Sequence, residues 1–346
     1  MKINSVQLSL PSRTVSNEDI LQLIADESTE TAEKEKQRIL AHVSKILKMA
    51  GANNRYWRAE DELPIQMVTD AFNKGLVETG WQKKDIDLLI YVGVGKGFIE
   101  PGNSYMIAHA LKLDHTHCFD ILDACMSWVR AVHLAHNYFK LGNYKRIIIV
   151  NAEFNIKEYF YPALFKLSAV QQLQYTFPAF TVGEGASVTF LSNEDSEPWE
   201  FQFSSRTDLA DLCTIPFPNY ESFCDGSTNK IGKNGAYRFT SYGFDLHKHG
   251  YIEGINIIRK LSIDSNAIDI LLPHASTKNS WQMGAEAVGL GDKLFCIFPE
   301  TGNLVSASVP AGMVMALNAH KLKRGDRVIS CVGSAGMSFA AFSFIF

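Results

Sequence analysis

Four continuous apolar runs dominate the first half of the chain: IDLLIYVGV (86–94), CFDILDA (118–124), RIIIVNAE (146–153) and ASVTFLS (186–192). Runs of this kind, without polar alternation, belong to strands buried on both faces, and such strands need helices above and below them. The intervening segments supply the helices. Helical period predicts helices over 64–80, 103–112 and 126–141, and the Glu-, Lys- and Arg-rich segment 29–49 also reads as helical. A second series follows a polar stretch at 204–236. It comprises helix 244–261, strand 268–274, helix 276–289, strand 294–298, helix 307–321 and closing strands 326–333 and 338–346. The alternation predicts an α/β fold of two similar βαβαβ halves, 1–193 and 194–346, divided near the polar, Pro-containing residues 193–200.

Bulk composition narrows the function by exclusion. The 346 residues are 46% hydrophobic and 20% charged, with a net charge of -4. That is ordinary globular usage, without the basic face that nucleic acid requires. No apolar run reaches 18 residues and the N-terminal stretch has no apolar h-region, so neither a membrane span nor a signal peptide is expected. The six cysteines include no C-x-x-C pair. Free thiols in a reducing cytoplasm are the expectation.

In sheets of this type, sites form beyond the carboxyl ends of the strands. Cys125 follows one strand, at the start of a helix whose free N–H groups favour a thiolate. His274 follows a second strand (LLPHAS), Asn303 a third (IFPETGN), and the turn VGSAG (332–336) a fourth. A thiolate attacks a thioester to give an acyl-enzyme. Backbone N–H groups of Cys125 and of Ala335 or Gly336 would receive the oxyanion, while His274 and Asn303 would stabilise an enolate produced by loss of CO2 from a malonyl group. GVGKG (93–97) lacks the spacing of a phosphate loop, and HTHC (115–118) has no second cluster to complete a metal site. No metal is expected.

At these residues the chain resembles the β-ketoacyl-acyl carrier protein synthase III family of the thiolase superfamily. SLPSRTVSNEDI, GANNRYW, GWQKKDIDLLIYVGVG, DACMSWVRAVHLA, VGEGASVTFL, LLPHAS, ETGNLVSASVPAGM and GDRVISCVGSAGMSFAAF match its motifs nearly end to end. The resemblance implies a homodimeric thiolase-like fold with α-β-α-β-α layers and a pantetheine tunnel. It implies Cys125 as the acyl-accepting nucleophile, with His274 and Asn303 as the decarboxylation pair. Acyl-CoA and acyl carrier protein are the implied partners, with no cofactor beyond the thioester substrates. Arg55 matches the arginine at the CoA phosphate end, and Lys278 approximates a basic docking position for an acidic carrier protein.

Three departures bear on the substrate. MSW follows the cysteine where the family has Ala-Gly-Phe, so Met126 and Trp128 are expected to reshape the acyl pocket. The closing Gly-Gly-Gly is SAG here, and segment 155–180 is longer and more aromatic, suited to a cavity wall or a dimer interface. The implied activity is an acyltransferase that condenses an acyl-Cys intermediate with a malonyl or β-ketoacyl thioester. Two other readings remain: acyl transfer to an oxygen or nitrogen acceptor without decarboxylation, and a non-catalytic subunit of a synthase heterodimer.

Overall fold

The structure, a computed structural model, describes residues 1–194, 198–224 and 229–346. Residues 195–197, within the expected division, lie outside the described residues. The strands are β1 (Lys2–Ser9), β2 (Arg13–Ser16), β3 (Asn54–Trp57), β4 (Leu88–Val92), β5 (His117–Ile121), β6 (Arg146–Glu153) and β7 (Gly185–Ser192). They continue with β8 (Glu200–Ser205), β9 (Cys213–Thr214), β10 (Thr240–Ser241), β11 (Ile270–Pro273), β12 (Arg327–Ser334) and β13 (Ser338–Ile345). The helices are α1 (Asn17–Glu27), α2 (Glu33–Ala50), α3 (Pro64–Thr79), α4 (Asn103–Leu111) and α5 (Ser127–Lys140). After them come α6 (Leu173–Thr176), α7 (Gly243–Ile258), α8 (Lys278–Ala287), α9 (Phe298–Thr301) and α10 (Ser308–Asn318).

Two sheets carry the molecule. One has the order β1-β7-β6-β4-β5, with β4 parallel to β5 and β6; the other has the order β11-β12-β13-β8, with β11 parallel to β12. Alternate residues of each strand enter different cores, as the two-residue period requires. Leu88, Ile90 and Val92 of β4 pack with α5 and α10, whereas Leu89 and Tyr91 pack with α3 and α4. In the second sheet, Ile270 and Leu272 of β11 face that same α5–α10 layer, and Leu271 faces α7 and α8. The layers therefore run α3/α4, sheet, α5/α10, sheet, α7/α8. This is the expected α-β-α-β-α order.

Local signals explain the element ends. Ser16 and Asp19 form a reciprocal capping box at the start of α1. Pro64 opens α3, and Gly80 closes it at φ +69°. One expected strand is absent. Residues 294–298 make a single bridge, Leu271 to Leu294, and then turn into α9, where Pro299 has no N–H to give a sheet. The polar stretch 204–236 also holds regular structure: β9 pairs with β10, bringing Cys213 and Ser241 beside one another.

Gly75 of α3 shows how close the packing is. A β-carbon there would stand 2.0 Å from Phe190, whose ring is itself held by Phe72 and Trp81. Helix propensity alone would make Gly75→Ala stabilising by about 1 kcal/mol. Overpacking costs about 1–3 kcal/mol and the ring cannot retreat. Gly75→Ala is therefore expected to lower stability by about 1 kcal/mol, measured by urea denaturation.

Candidate active site

Cys125 sits in a single 3-10 turn, Ala124–Met126, between β5 and α5. Ala124 adopts φ +45°, a left-handed conformation that a non-glycine residue holds only when its surroundings enforce it. Here they do. The Asp123 N–H donates to Ser127 Oγ (2.8 Å), and the Ser127 hydroxyl donates to Ala124 O (2.7 Å). From the other half of the chain, Ser334 Oγ accepts from Met126 N–H (3.2 Å) and donates to Asp123 O (3.2 Å). Arg130 pairs with Asp123 at 2.8 Å.

Asn303 is presented by a turn that only glycine can make. Gly302 has φ +64°, and a β-carbon there would lie 2.3 Å from Thr181 O and 2.9 Å from Arg55 Cβ. Asn303 N–H donates to Thr181 O (2.8 Å), and Asn303 O accepts from Gly183 N–H (3.0 Å). Gly183 is equally confined, since a β-carbon would meet Thr301 O at 2.1 Å. His274 leaves the end of β11 with its N–H donating to Cys331 O (2.9 Å). Its Nε2 lies 3.2 Å from Asn303 Oδ1, which also accepts from Val305 N–H (2.8 Å). The Val305 N–H bond orients the carboxamide, and the Asn303 amide N–H groups remain free to donate. Val305, at φ +51°, is a second left-handed non-glycine residue beside the site.

Cys125, His274, Asn303 and Ala335 all line one cavity of about 730 Å³. Its walls are mainly aliphatic and aromatic, and the segment 155–180 contributes Asn155, Tyr159, Phe160, Leu173 and Phe177. Such a volume suits a sizeable small-molecule ligand.

Burial governs the charges. It pushes the Cys125 thiol well above its usual value, and Cys213, Glu153 and Asp123 add to the rise against the opposing backbone N–H. The thiolate expected from the helix start alone is disfavoured at rest, because desolvation outweighs the backbone N–H, although the half-buried residue lines the cavity. Burial likewise lowers His274 to about 4, outweighing its bond to Asn303, so the imidazole is neutral.

Several expected contacts are not made. Arg55 is fully buried and donates to Val15 O (3.2 Å) and Asn17 Oδ1 (2.9 Å), securing the β2–β3 ribbon and backing Gly302; it does not line the cavity. Met126 and Trp128 are also fully buried, in the layer between the sheets, where Trp128 Nε1–H donates to Thr189 Oγ1 (3.0 Å). They are core residues and do not line the cavity, because α5 buries that face against both sheets. Lys278 is exposed at the start of α8, outside the wall but next to Thr277, which lines it. Gly336 is exposed at φ +103° and does not line the cavity, whereas Ala335 does.

Two residues had no signal in the sequence motifs. Glu153, at the end of β6, is completely buried and accepts from Val94 N–H, Gly95 N–H, Asn155 Nδ2–H, Ser306 N–H and the Ser306 hydroxyl. It ties the loop after β4 to the turn that follows Asn303. His247 of α7 lines the cavity and makes no hydrogen bond to another described residue.

The fold is thiolase-like. Xanthomonas campestris OleA, solved with bound lauric acid and lauroyl-CoA, superposes at TM-score 0.80 with 18% identity, covering 99% of this chain and 98% of the other. Aquifex aeolicus 3-oxoacyl-[acyl-carrier-protein] synthase III superposes at 0.79 with 18% identity, covering 100% and 99%. Residues 258–345 match the family described as 3-Oxoacyl-[acyl-carrier-protein (ACP)] synthase III C terminal. Beta-ketoacyl-[acyl-carrier-protein] synthase III of Bartonella henselae is 24% identical over 340 residues, 96% of this chain and 95% of that protein. The Staphylococcus aureus protein of the same name is 23% identical over 297 residues, 86% and 88%. The chain is thus similar over most of its length to β-ketoacyl-acyl carrier protein synthase III enzymes, the family its motifs resemble.

Two outcomes are expected from these charges and bonds. Unfolded, His274 titrates near 6.5 and folded near 4, so unfolding takes up a proton between those values. Stability should fall as pH drops through that window, by about 3 kcal/mol in total from this group. His274→Gln should flatten the slope in denaturation series from pH 7 to 4. Glu153→Ala strands a set of buried donors and should cost about 3 kcal/mol, read in the same assay at pH 7.

Proposed function

We propose that the chain is an acyltransferase that loads an acyl group from a CoA or carrier-protein thioester onto Cys125 and condenses it with a second thioester. The observation that carries this reading is the convergence of a thiol, a neutral imidazole and a carboxamide on one apolar cavity. The Cys125 sulfur attacks the thioester carbonyl, the donor's C–S bond breaks, and the Cys125 proton leaves with the departing thiol. Backbone N–H groups of Cys125 and Ala335 hold the oxyanion. Loss of CO2 from a malonyl thioester leaves an enolate on the second substrate, whose oxygen rests against His274 and the Asn303 amide. Its carbon attacks the acyl-Cys carbonyl and expels Cys125. Neutral donors suit this chemistry, because a carboxylate in place of Asn303 would repel the enolate.

The relatives' names support the acyl-carrier-protein class of substrate, and the lauroyl-CoA bound by OleA supports a long acyl donor. A cavity of about 730 Å³ has room for such a chain. Neither a metal nor a prosthetic group takes part in this scheme. The chain acts as a homodimer in this reading: β5 is an open sheet edge, flanked by exposed Ile99, Tyr105 and Leu122. No helix among the described residues is long and apolar enough to cross a membrane. The cysteines are free, which fits a cytoplasmic setting.

Intact-mass spectrometry after incubation with acyl-CoA thioesters of graded length tests the scheme. One acyl increment should appear, and Cys125→Ala should abolish it. Asn303→Ala should still acylate yet slow condensation about 100-fold or more. Unimpaired acyl turnover by that variant would instead favour transfer to an oxygen or nitrogen acceptor.

A further inference from the structure

The inner face of α7 presents Gly243, His247, Gly250 and Gly254 to the cavity, at the three- and four-residue spacing of one helical face. Glycine is a poor helix former, so its place here needs a reason. At Gly243 the reason is packing, since a β-carbon would lie 2.9 Å from Pro178. The other two are different. A β-carbon at Gly250 would come no nearer than 3.9 Å to Phe339, and one at Gly254 no nearer than 4.0 Å to Cys331 Sγ. Neither adopts a positive φ. A β-carbon would fit at either position in ordinary contact, so packing does not demand these glycines; they keep side chains out of the cavity that they line.

His247 stands beside that volume. Burial keeps it neutral, and it has no hydrogen-bond partner among the described residues. Neighbouring cavity positions such as Leu246, Ile255 and Ile258 offer no polar side chain. The ring is half-buried and opens onto the cavity, so its nitrogens are available to a ligand there. The ring lies close enough to His274 to depress that residue's pKa, which places it on the side where the second thioester binds in the reading above. A malonyl group has no chain to fill space beside Gly250 and Gly254.

We propose that α7 forms a subsite for a chain-bearing 3-oxoacyl thioester as the carbon nucleophile, with His247 as the base that removes its C2 proton. This deepens the proposed function and rests on it. The C2–H bond, acidified by two flanking carbonyls, gives its proton to the free nitrogen of His247 and its electron pair to the enolate held by Asn303. C2 attacks the acyl-Cys125 carbonyl, the C–S bond breaks, and the released Cys125 thiolate takes the proton from His247. The product is a 2-acyl-3-oxo thioester, and no CO2 is lost. The chain beyond C3 lies along Gly250 and Gly254.

The test uses full-length protein first loaded on Cys125 with an acyl-CoA and checked by intact mass. It is then mixed with either malonyl-CoA or 3-oxooctanoyl-CoA, and products are followed by mass spectrometry. Wild type should form the 2-acyl-3-oxo product. His247→Gln should slow it at least 100-fold, and by at least tenfold more than the malonyl reaction, which needs no C2–H removal. Gly250→Leu should raise KM for 3-oxooctanoyl-CoA more than for 3-oxobutanoyl-CoA. A loaded wild type that condenses malonyl-CoA but makes no 2-acyl-3-oxo product overturns the inference and leaves the acyl-enzyme reading standing. Equal slowing of both reactions by His247→Gln also overturns it. Failure of Cys125 to load from any thioester overturns both.

Discussion

Two sheets share one layer of helices, and this shared burial places the rest of the molecule. α5 and α10 each offer apolar side chains to both sheets, so neither sheet can close its core without the other. Trp128, Met313 and Phe342 belong to a single cluster for this reason. Packing both sheets on the same helices brings the exits of β5 and β11, and the turn after β12, onto one cavity. Ser334, from the second sheet, then closes hydrogen bonds on the turn that carries Cys125 from the first.

The same burial decides the electrostatics. Desolvation raises Cys125, lowers His274 and His247, and raises Glu153, each time toward the neutral form. A neutral, apolar chamber suits a reaction in which negative charge appears only transiently, because fixed donors act strongly where water is scarce. Glu153 is the exception in kind: it is buried with a full set of donors, and its work is to hold two loops together.

Much of this was readable in the residues. The central strand 146–153 lies where its apolar run does, and helix ends follow Pro64, Gly80 and the Ser16–Asp19 box. Cys125 and His274 do lie beyond the ends of β5 and β11, whereas Asn303 follows α9 and not the strand expected before it. Other readings failed for definite reasons. LFCIF has strand composition but makes only one bridge before Pro299 turns the chain. Arg55 matches the arginine at the CoA phosphate end, yet it is buried, with Val15 O and Asn17 Oδ1 accepting from its two NH2 groups and Nε without a partner among the described residues. Met126 and Trp128 are adjacent to the nucleophile in number but lie on the side of α5 pressed between the sheets. His247 belongs to no motif, and it makes no hydrogen bond to another described residue.

Period and punctuation act over a few residues, so local order specified the strands, the helices and the glycine at position 302, whose turn no side chain could enter. The thiol's protonation, the inward fate of Arg55 and the room beside α7 depend on atoms far away along the chain. Desolvation is a property of everything that surrounds a group, and that is set only when the layers close on one another.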